Sequence, residues 1–370
     1  MRRTVTGLFA LVVLGLPAPA SPRASELNEA TSTLKQLLSL SGVAGYEGAV
    51  RAAIRSALPS WASPEEDNLG NLTVTVGSGA PQRLLIAHMD EPGYVVTAIT
   101  DGGYLKVQRL ARNSLPPLFD QFILGQPVVV GGRHAALPGV TVIYSTHLWR
   151  GEGAPLKSAV EPEDLFVDIG ARSPEEVRAA GARLLDPLTI ARRVVDLAGD
   201  KVAGPAMDDR AGCAALLVLL RRLEPVKVRG TLTVAFSAQE VMGARGAARL
   251  ARRLHPDAVL VIDPPLLPDA GPRAPQGRRT PGDGPVVGMP GGPVAQPLYD
   301  RIATLAARDG VPIQTSAYSG LGDGEPFANR APLLPIGVPV LHPATPGEIA
   351  DVHDVLALAR LLAAFVEEGA

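Results

Sequence analysis

Three runs of the chain, RLLIA, TLTVAFSAQ and AVLVI, are dominated by apolar residues and each stops at a potential ligand: His88, Glu240 and Asp263. Short apolar runs bounded by turn signals are strands buried on both faces. Helical patterns lie between them, one in DDRAGCAALLVLLRRL after Asp208 and one from Ala244 to Leu254. Apolar strands alternating with helices predict an α/β fold whose mainly parallel central sheet carries helices on both faces. In such sheets ligand sites gather at the carboxyl ends of the strands. Three strands therefore deliver three side chains of metal-binding or acid–base type to one edge.

The rest of the chain divides around that core. ELNEATSTLKQLLSLSGVAGYEGAVRAAIRSAL reads as two amphipathic helices split at Gly42–Gly45. From about residue 98 to 192 the texture changes: YLKVQRL, QPVVVGG, GVTVIYS and DLFVDIG are short strands at close spacing. This predicts a small β-domain, barrel-like, inserted between two segments of the α/β domain, 27–97 and 193–370. A Pro/Gly-rich stretch from Pro264 to Pro297 has no helical or strand period. Loops that long in compact domains are usually functional.

The first 20 residues have a basic start at Arg2 and Arg3, an apolar run from Leu8 to Leu16, and a small-x-small site at Ala18-Pro19-Ala20. That is the pattern of a signal peptide cleaved after Ala20, and it predicts export to a periplasmic or extracellular location. The apolar run is too short for a permanent membrane anchor. A formal net charge of −2 over 370 residues gives no basis for nucleic-acid binding. Cys213 is the only cysteine, so no internal disulfide forms, and its place on an apolar helix predicts a packed core thiol. A metal site here must use His and carboxylate ligands.

Singly, the candidates have bland explanations. His88 suits a hydrogen-bonded core histidine, Asp208 and Asp209 suit helix caps, Asp263 suits a turn before Pro264, and Glu240 suits a solvated loop. Jointly they suggest a metal hydrolase in which His88, Asp208 and Asp263 bind a divalent ion and its water, while Glu240 is the general base.

The blocks AGYEGAV, AHMDEPGYVV, VDIGARSPEEV, AMDDRAGCAALLVLL and FSAQEVMGARGA resemble the tetrahedral, or glutamyl, aminopeptidases, which are co-catalytic two-metal zinc exopeptidases. The resemblance runs from about Leu27 to the C-terminus. It implies a zinc-peptidase α/β core with a mixed central sheet, an inserted dimerisation β-domain, and homodimers that close into a larger cage. It also implies that His88 and Asp263 bind one metal, that Asp208 bridges two through a cis peptide to Asp209, that Glu240 is the base, and that Asp90 orients His88. Asp323, in SGLGDGEPFA, matches an acidic family position and is a candidate substrate contact, with a turn role as the alternative.

The chain departs from that pattern at two positions. The family has two consecutive acids where this chain has Glu240-Val241, and a histidine where HPATPGEIADVHDV places Ala344. Both are private ligands of the second metal. His342 stands two residues early, which in an extended segment is about 6.6 Å, against a Zn–N bond of about 2.1 Å. Only a register shift or bulge would bring it in. The two carboxylates among His88, Asp208 and Asp263 balance one divalent ion, and a second ion facing Val241 and Ala344 lacks charge compensation. The expectation is one Zn or Co ion per subunit. His147, His255 and His353 have no partner pattern and read as surface or structural.

The leading expectation is an exported metallo-aminopeptidase acting on small peptides. The alternatives are a degenerate peptidase homologue serving as a binding or assembly module, and a one-metal deacylase or amidase on the same fold.

Overall fold

The computed structural model describes residues 24–110, 119–131, 136–143, 160–264, 280–288, 295–316 and 320–368. The signal segment 1–20, His147 and most of the Pro/Gly-rich stretch 264–297 lie outside the described residues. Among the described residues no helix is long and apolar enough to cross a membrane.

The central sheet has eight strands in the order Pro64–Glu66, Leu72–Gly77, Thr231–Ser237, Gln82–His88, Ala258–Ile262, Leu333–Gly337, Val286–Gly288 and Gln314–Ser316. Thr231–Ser237, Gln82–His88, Ala258–Ile262 and Leu333–Gly337 run parallel to one another. The flanking pairings to Leu72–Gly77 and to Val286–Gly288 are antiparallel. The sheet is thus mixed, parallel at its centre, where the ligand-bearing strands sit.

The continuous apolar runs have a direct explanation. Along Gln82–His88, Leu85 and Ala87 enter one core while Leu84 and Ile86 enter another on the opposite face. Along Ala258–Ile262, Leu260 and Ile262 divide from Val259 and Val261 in the same way. Both faces are covered, so neither set of alternating positions can be polar. One face packs beneath the helices Ala24–Leu38, Gly48–Ala57, Met207–Arg222, Gln296–Arg308 and Val352–Glu367. The other carries the short helix Arg245–Leu250 and the 3-10 turn Gly322–Phe327. Met207–Arg222 packs against the first and last helices and against Gln82–His88. It is buried from Asp209 to Leu220, which is why its sequence is so uniformly apolar. Cys213 lies inside it, fully buried, as the sequence led us to expect.

A second unit is a closed barrel with strand order Gly93–Ile99, Leu105–Leu110, Phe166–Asp168, Leu137–Val142, Pro127–Val130 and Pro187–Ile190. Its interior is filled by Tyr94, Val96, Leu105, Val107, Val128, Val130, Val167 and Leu188. The first strand begins at Gly93, five residues before the expected start at 98, because only two residues separate Asp90 from the barrel wall. Gly93 marks that junction: a Cβ there would stand 2.6 Å from Val43 Cγ2. A three-stranded sheet of Val195–Leu197, Lys201–Gly204 and Glu348–Asp351 carried no clear sequence signal. It sets Glu348 opposite Gly204, beside the segment that leads to Asp208.

Candidate active site

His88, Asp208, Glu240 and Asp263 all line one cleft of about 600 Å³ between the sheet edge and the barrel. His88 ends its strand, 5% exposed. Its Nδ1 donates to the Asp90 carbonyl oxygen at 3.1 Å, which directs Nε2 toward Asp208 Oδ1 at 3.3 Å. Asp208 (φ −81°, ψ 108°) and Asp209 (φ −117°, ψ 43°) are non-helical and joined by a cis peptide. Asp208 therefore precedes the regular helix rather than capping it. The Asp209 side chain turns inward, where Oδ1 accepts the Gly212 N–H at 3.0 Å.

Asp90 acts differently from the expected carboxylate–histidine pair. Its carboxylate is fully buried, but Oδ1 stands 3.7 Å from His88 Nδ1. It accepts instead the N–H groups of Glu240, at 2.9 Å, and of Val241, at 3.0 Å. The main chain of Asp90 orients the imidazole, while its side chain ties the Glu240 turn to the His88 strand. The local signal, an aspartate two positions after the histidine, could not separate these roles.

Glu240 and Asp263 border one small space. A Cβ on Gly322 would meet Asp263 Oδ2 at 2.4 Å and Glu240 Oε1 at 3.7 Å, and Gly322 has φ +42°. A side chain there would fill the gap between the two carboxylates. Val241 and Ala344 also line the cleft. Ala344 has φ +58°, and its N–H donates to Glu348 Oε1 at 2.7 Å. His342 is exposed and is not on the cleft wall, so no register shift brings it in. Of the other histidines, His255 is exposed, and His353 pairs with Asp200 at 3.1 Å on the surface.

Asp323, a candidate substrate contact in the sequence, is not on the cleft wall. It is 2% exposed and sits behind it, with Oδ2 accepting from Ser237 Oγ and Oδ1 unpartnered among the described residues. Its neighbours Gly322 and Glu325 form the wall instead. Sequence reasoning also missed Glu348, a buried residue of the cleft lining, whose Oε2 accepts the Asp208 N–H at 3.2 Å. The only available signal was its place four residues after Ala344.

The electrostatics are one-sided. Burial pushes the Asp263 carboxyl well above its ordinary range, and Asp208 and Glu240 push it further. Burial likewise raises Glu240, reinforced by Asp208 and Glu325. Asp323 is raised to about 7 and Glu348 to about 8, both mainly by burial. Burial opposes charge on His88, yet Asp208, Glu240 and Asp90 outweigh it and lift its pKa well above the usual value. Crowded acids facing a single imidazole form a site short of positive charge. Among the described residues, no three His, Cys, Asp or Glu side chains are already gathered as a cage for an ion, so His88, Asp208 and Asp263 would have to draw together to hold one. The donor set itself, one imidazole nitrogen and two carboxylates beside an acid deficient in counter-charge, suits a divalent cation of the zinc type.

An imidazole and acids at the carboxyl edge of a mixed α/β sheet are the equipment of a hydrolase. The family model for M42 glutamyl aminopeptidase matches residues 70–361. The chain therefore belongs to the M42 glutamyl aminopeptidase family, a divalent-metal-dependent family of peptidases. Lysyl aminopeptidase of Pyrococcus furiosus is 26% identical over 345 residues, covering 90% of this chain and 96% of that protein. Glutamyl aminopeptidase of Lactococcus lactis subsp. cremoris is 28% identical over 244 residues, 62% of this chain and 65% of the relative. The TET1 peptidase of Pyrococcus horikoshii, described as assembling into a tetrahedron or a large octahedral shell, superposes with a TM-score of 0.81 at 29% identity. That match covers 91% of this chain and 99% of the other.

Proposed function

We propose that this peptidase is an exported aminopeptidase that trims small peptides, holds one divalent ion per subunit, Zn or Co, and works as a homodimer or larger homo-oligomer. The observation that carries this reading is the meeting of His88, Asp208, Asp263 and Glu240 in one cleft with surplus negative charge. His88, Asp208 and Asp263 would hold the ion, which when bound supplies Lewis acidity and lowers the pKa of water. Glu240 takes the proton from the attacking water and delivers it to the leaving amine. Its raised pKa suits a base that must also give the proton back. Asp90 keeps Glu240 in register with His88 through the two main-chain N–H groups it binds. Glu325, exposed on the rim, adds negative charge for a substrate ammonium.

A single ion is supported by the pair Val241 and Ala344, which present hydrocarbon to the cleft where the family pattern has an acid and a histidine. That same pair favours one alternative, an amidase that accepts N-blocked substrates, since a less elaborate metal centre recognises a free amine less strictly. The test is metal content per chain measured beside hydrolysis of a panel of aminoacyl and N-acetylated amides. One ion with turnover of free-amine substrates supports the proposal. Turnover of blocked substrates alone supports the amidase, and binding without turnover on either set supports a non-catalytic module.

Export follows from the signal pattern in residues 1–20, and an N-terminus at Ser21 in the mature protein tests it. The closed barrel and the oligomers described for the TET1 relative support the assembly part of this reading.

A further inference from the structure

The cleft has a cationic pole that the proposed chemistry does not use. Arg192 follows the last barrel strand, Pro187–Ile190, and lines the same cleft as His88 and Glu240. Its side chain is only 10% exposed, and Nη2 donates to Glu91 Oε1. Its Nε and Nη1 are buried and have no partner among the described residues. The same Glu91 oxygen also takes the Gly42 N–H at 2.7 Å and Arg210 Nη2 at 3.5 Å. Two guanidinium groups thus face one carboxylate. Arg210 is otherwise satisfied, by the carbonyls of Met89, Leu37 and Leu40. The unspent donors and the uncompensated charge therefore belong to Arg192. Leaving buried guanidinium N–H groups unpaired is costly, and a carboxylate is the group whose two oxygens match that fork.

Resting on the aminopeptidase reading, we infer that Arg192 receives the C-terminal carboxylate of the peptide and so makes the enzyme selective for short peptides with a free carboxyl end. A zwitterionic peptide is complementary to both poles: its ammonium faces the acids around Glu240 and Glu325, its carboxylate faces Arg192. The cleft lining also includes Phe119, Phe122 and Ile190 from the barrel region, apolar side chains that accept those of a peptide without demanding a charge. A cleft of about 600 Å³ suits a ligand of a few residues.

The test compares Ala-Ala-Ala with its C-terminal amide, by calorimetric binding to the zinc-loaded Glu240→Gln protein and by turnover in the unaltered one. The free acid should bind about ten- to a hundred-fold more tightly, the worth of a charge-assisted pair. Arg192→Gln, which keeps a donor for Glu91, should bring that ratio close to one, and Arg192→Lys should keep part of it. The preference should appear in KM more than in kcat. Equal affinity for acid and amide in protein that retains Arg192 overturns the inference. So does a second pair, Glu-Ala-Ala amide against Gln-Ala-Ala amide, if its preference is the one that Arg192→Gln abolishes, because Arg192 then reads a side chain. If carboxylate-dependent binding is found while no peptide turns over, the aminopeptidase reading fails and the assignment of Arg192 stands.

Discussion

At the scale of single residues, Glu240 and Gly322 carry the sharpest consequences. Glu240→Gln keeps the shape and the main-chain contacts to Asp90 but removes the proton acceptor. Turnover should fall by about 10²–10⁴-fold, while zinc content, measured by elemental analysis, stays near that of the unaltered protein. Gly322→Ala places a methyl group 2.4 Å from Asp263 Oδ2 on a left-handed backbone, so metal affinity and activity should fall together. The buried acids also set a pH dependence. Asp323 and Glu348 have folded pKa values of about 7 and about 8, against about 4 when unfolded. Between those limits the folded state holds more protons than the unfolded one, so the metal-free protein loses stability as pH rises from about 4 to 8. Positive charge from a divalent cation held by the neighbouring His88, Asp208 and Asp263 would favour the ionised forms of both acids. Melting curves should therefore show a larger zinc-induced rise in Tm at pH 8 than at pH 5, and an equal rise at both would contradict the charge deficit described for this cleft.

Between elements, the site is a meeting of loops held by carboxylates. Asp90 joins the His88 strand to the Glu240 turn, and Glu348 joins the Ala344 loop to the main chain of Asp208. Val241 and Ala344 face the cleft from these two loops, which belong to different elements. Supplying a donor from one loop alone leaves an ion with one private ligand. Val241→Glu combined with Ala344→His should therefore raise bound zinc from one to two ions per chain, whereas each single substitution should leave the count at one. Two ions on the unaltered chain, both released by Asp208→Ala, would show that the hydrocarbon pair does not close the second site.

For the whole molecule, the barrel is both a wall of the cleft and a candidate interface. It leaves the core after Pro92 and returns before Arg192, so both connections pass beside the catalytic edge. Replacing residues 93–190 by a short linker removes all six barrel strands; beginning at 98 would leave residues 93–97 of the first strand without their partners. The shortened chain should be a monomer by light scattering at micromolar concentration, and the full chain a dimer or larger. A full-length monomer would remove the assembly role proposed for the barrel.

The α/β core could be read from the sequence because its strands are buried on both faces. That burial forces uninterrupted apolar runs, and the polar residue ending each run stands out by contrast. His88, Glu240, Asp263 and, before its helix, Asp208 were accessible for that reason. The insert was also visible, as a change from long to short periods, although its first and last strands, Gly93–Ile99 and Pro187–Ile190, were not. Other features depend on contacts between distant segments and leave no local period. Glu348 reaches Asp208 across 140 residues, and Arg192 reaches Glu91 across 101. The sequence placed Asp323 near the chemistry, but only packing could turn it behind the wall toward Ser237. Local patterning reflects which face of an element meets the core. Which buried charges meet one another is decided when the elements dock, because the energy of a buried charge depends on partners that the chain brings together only in three dimensions.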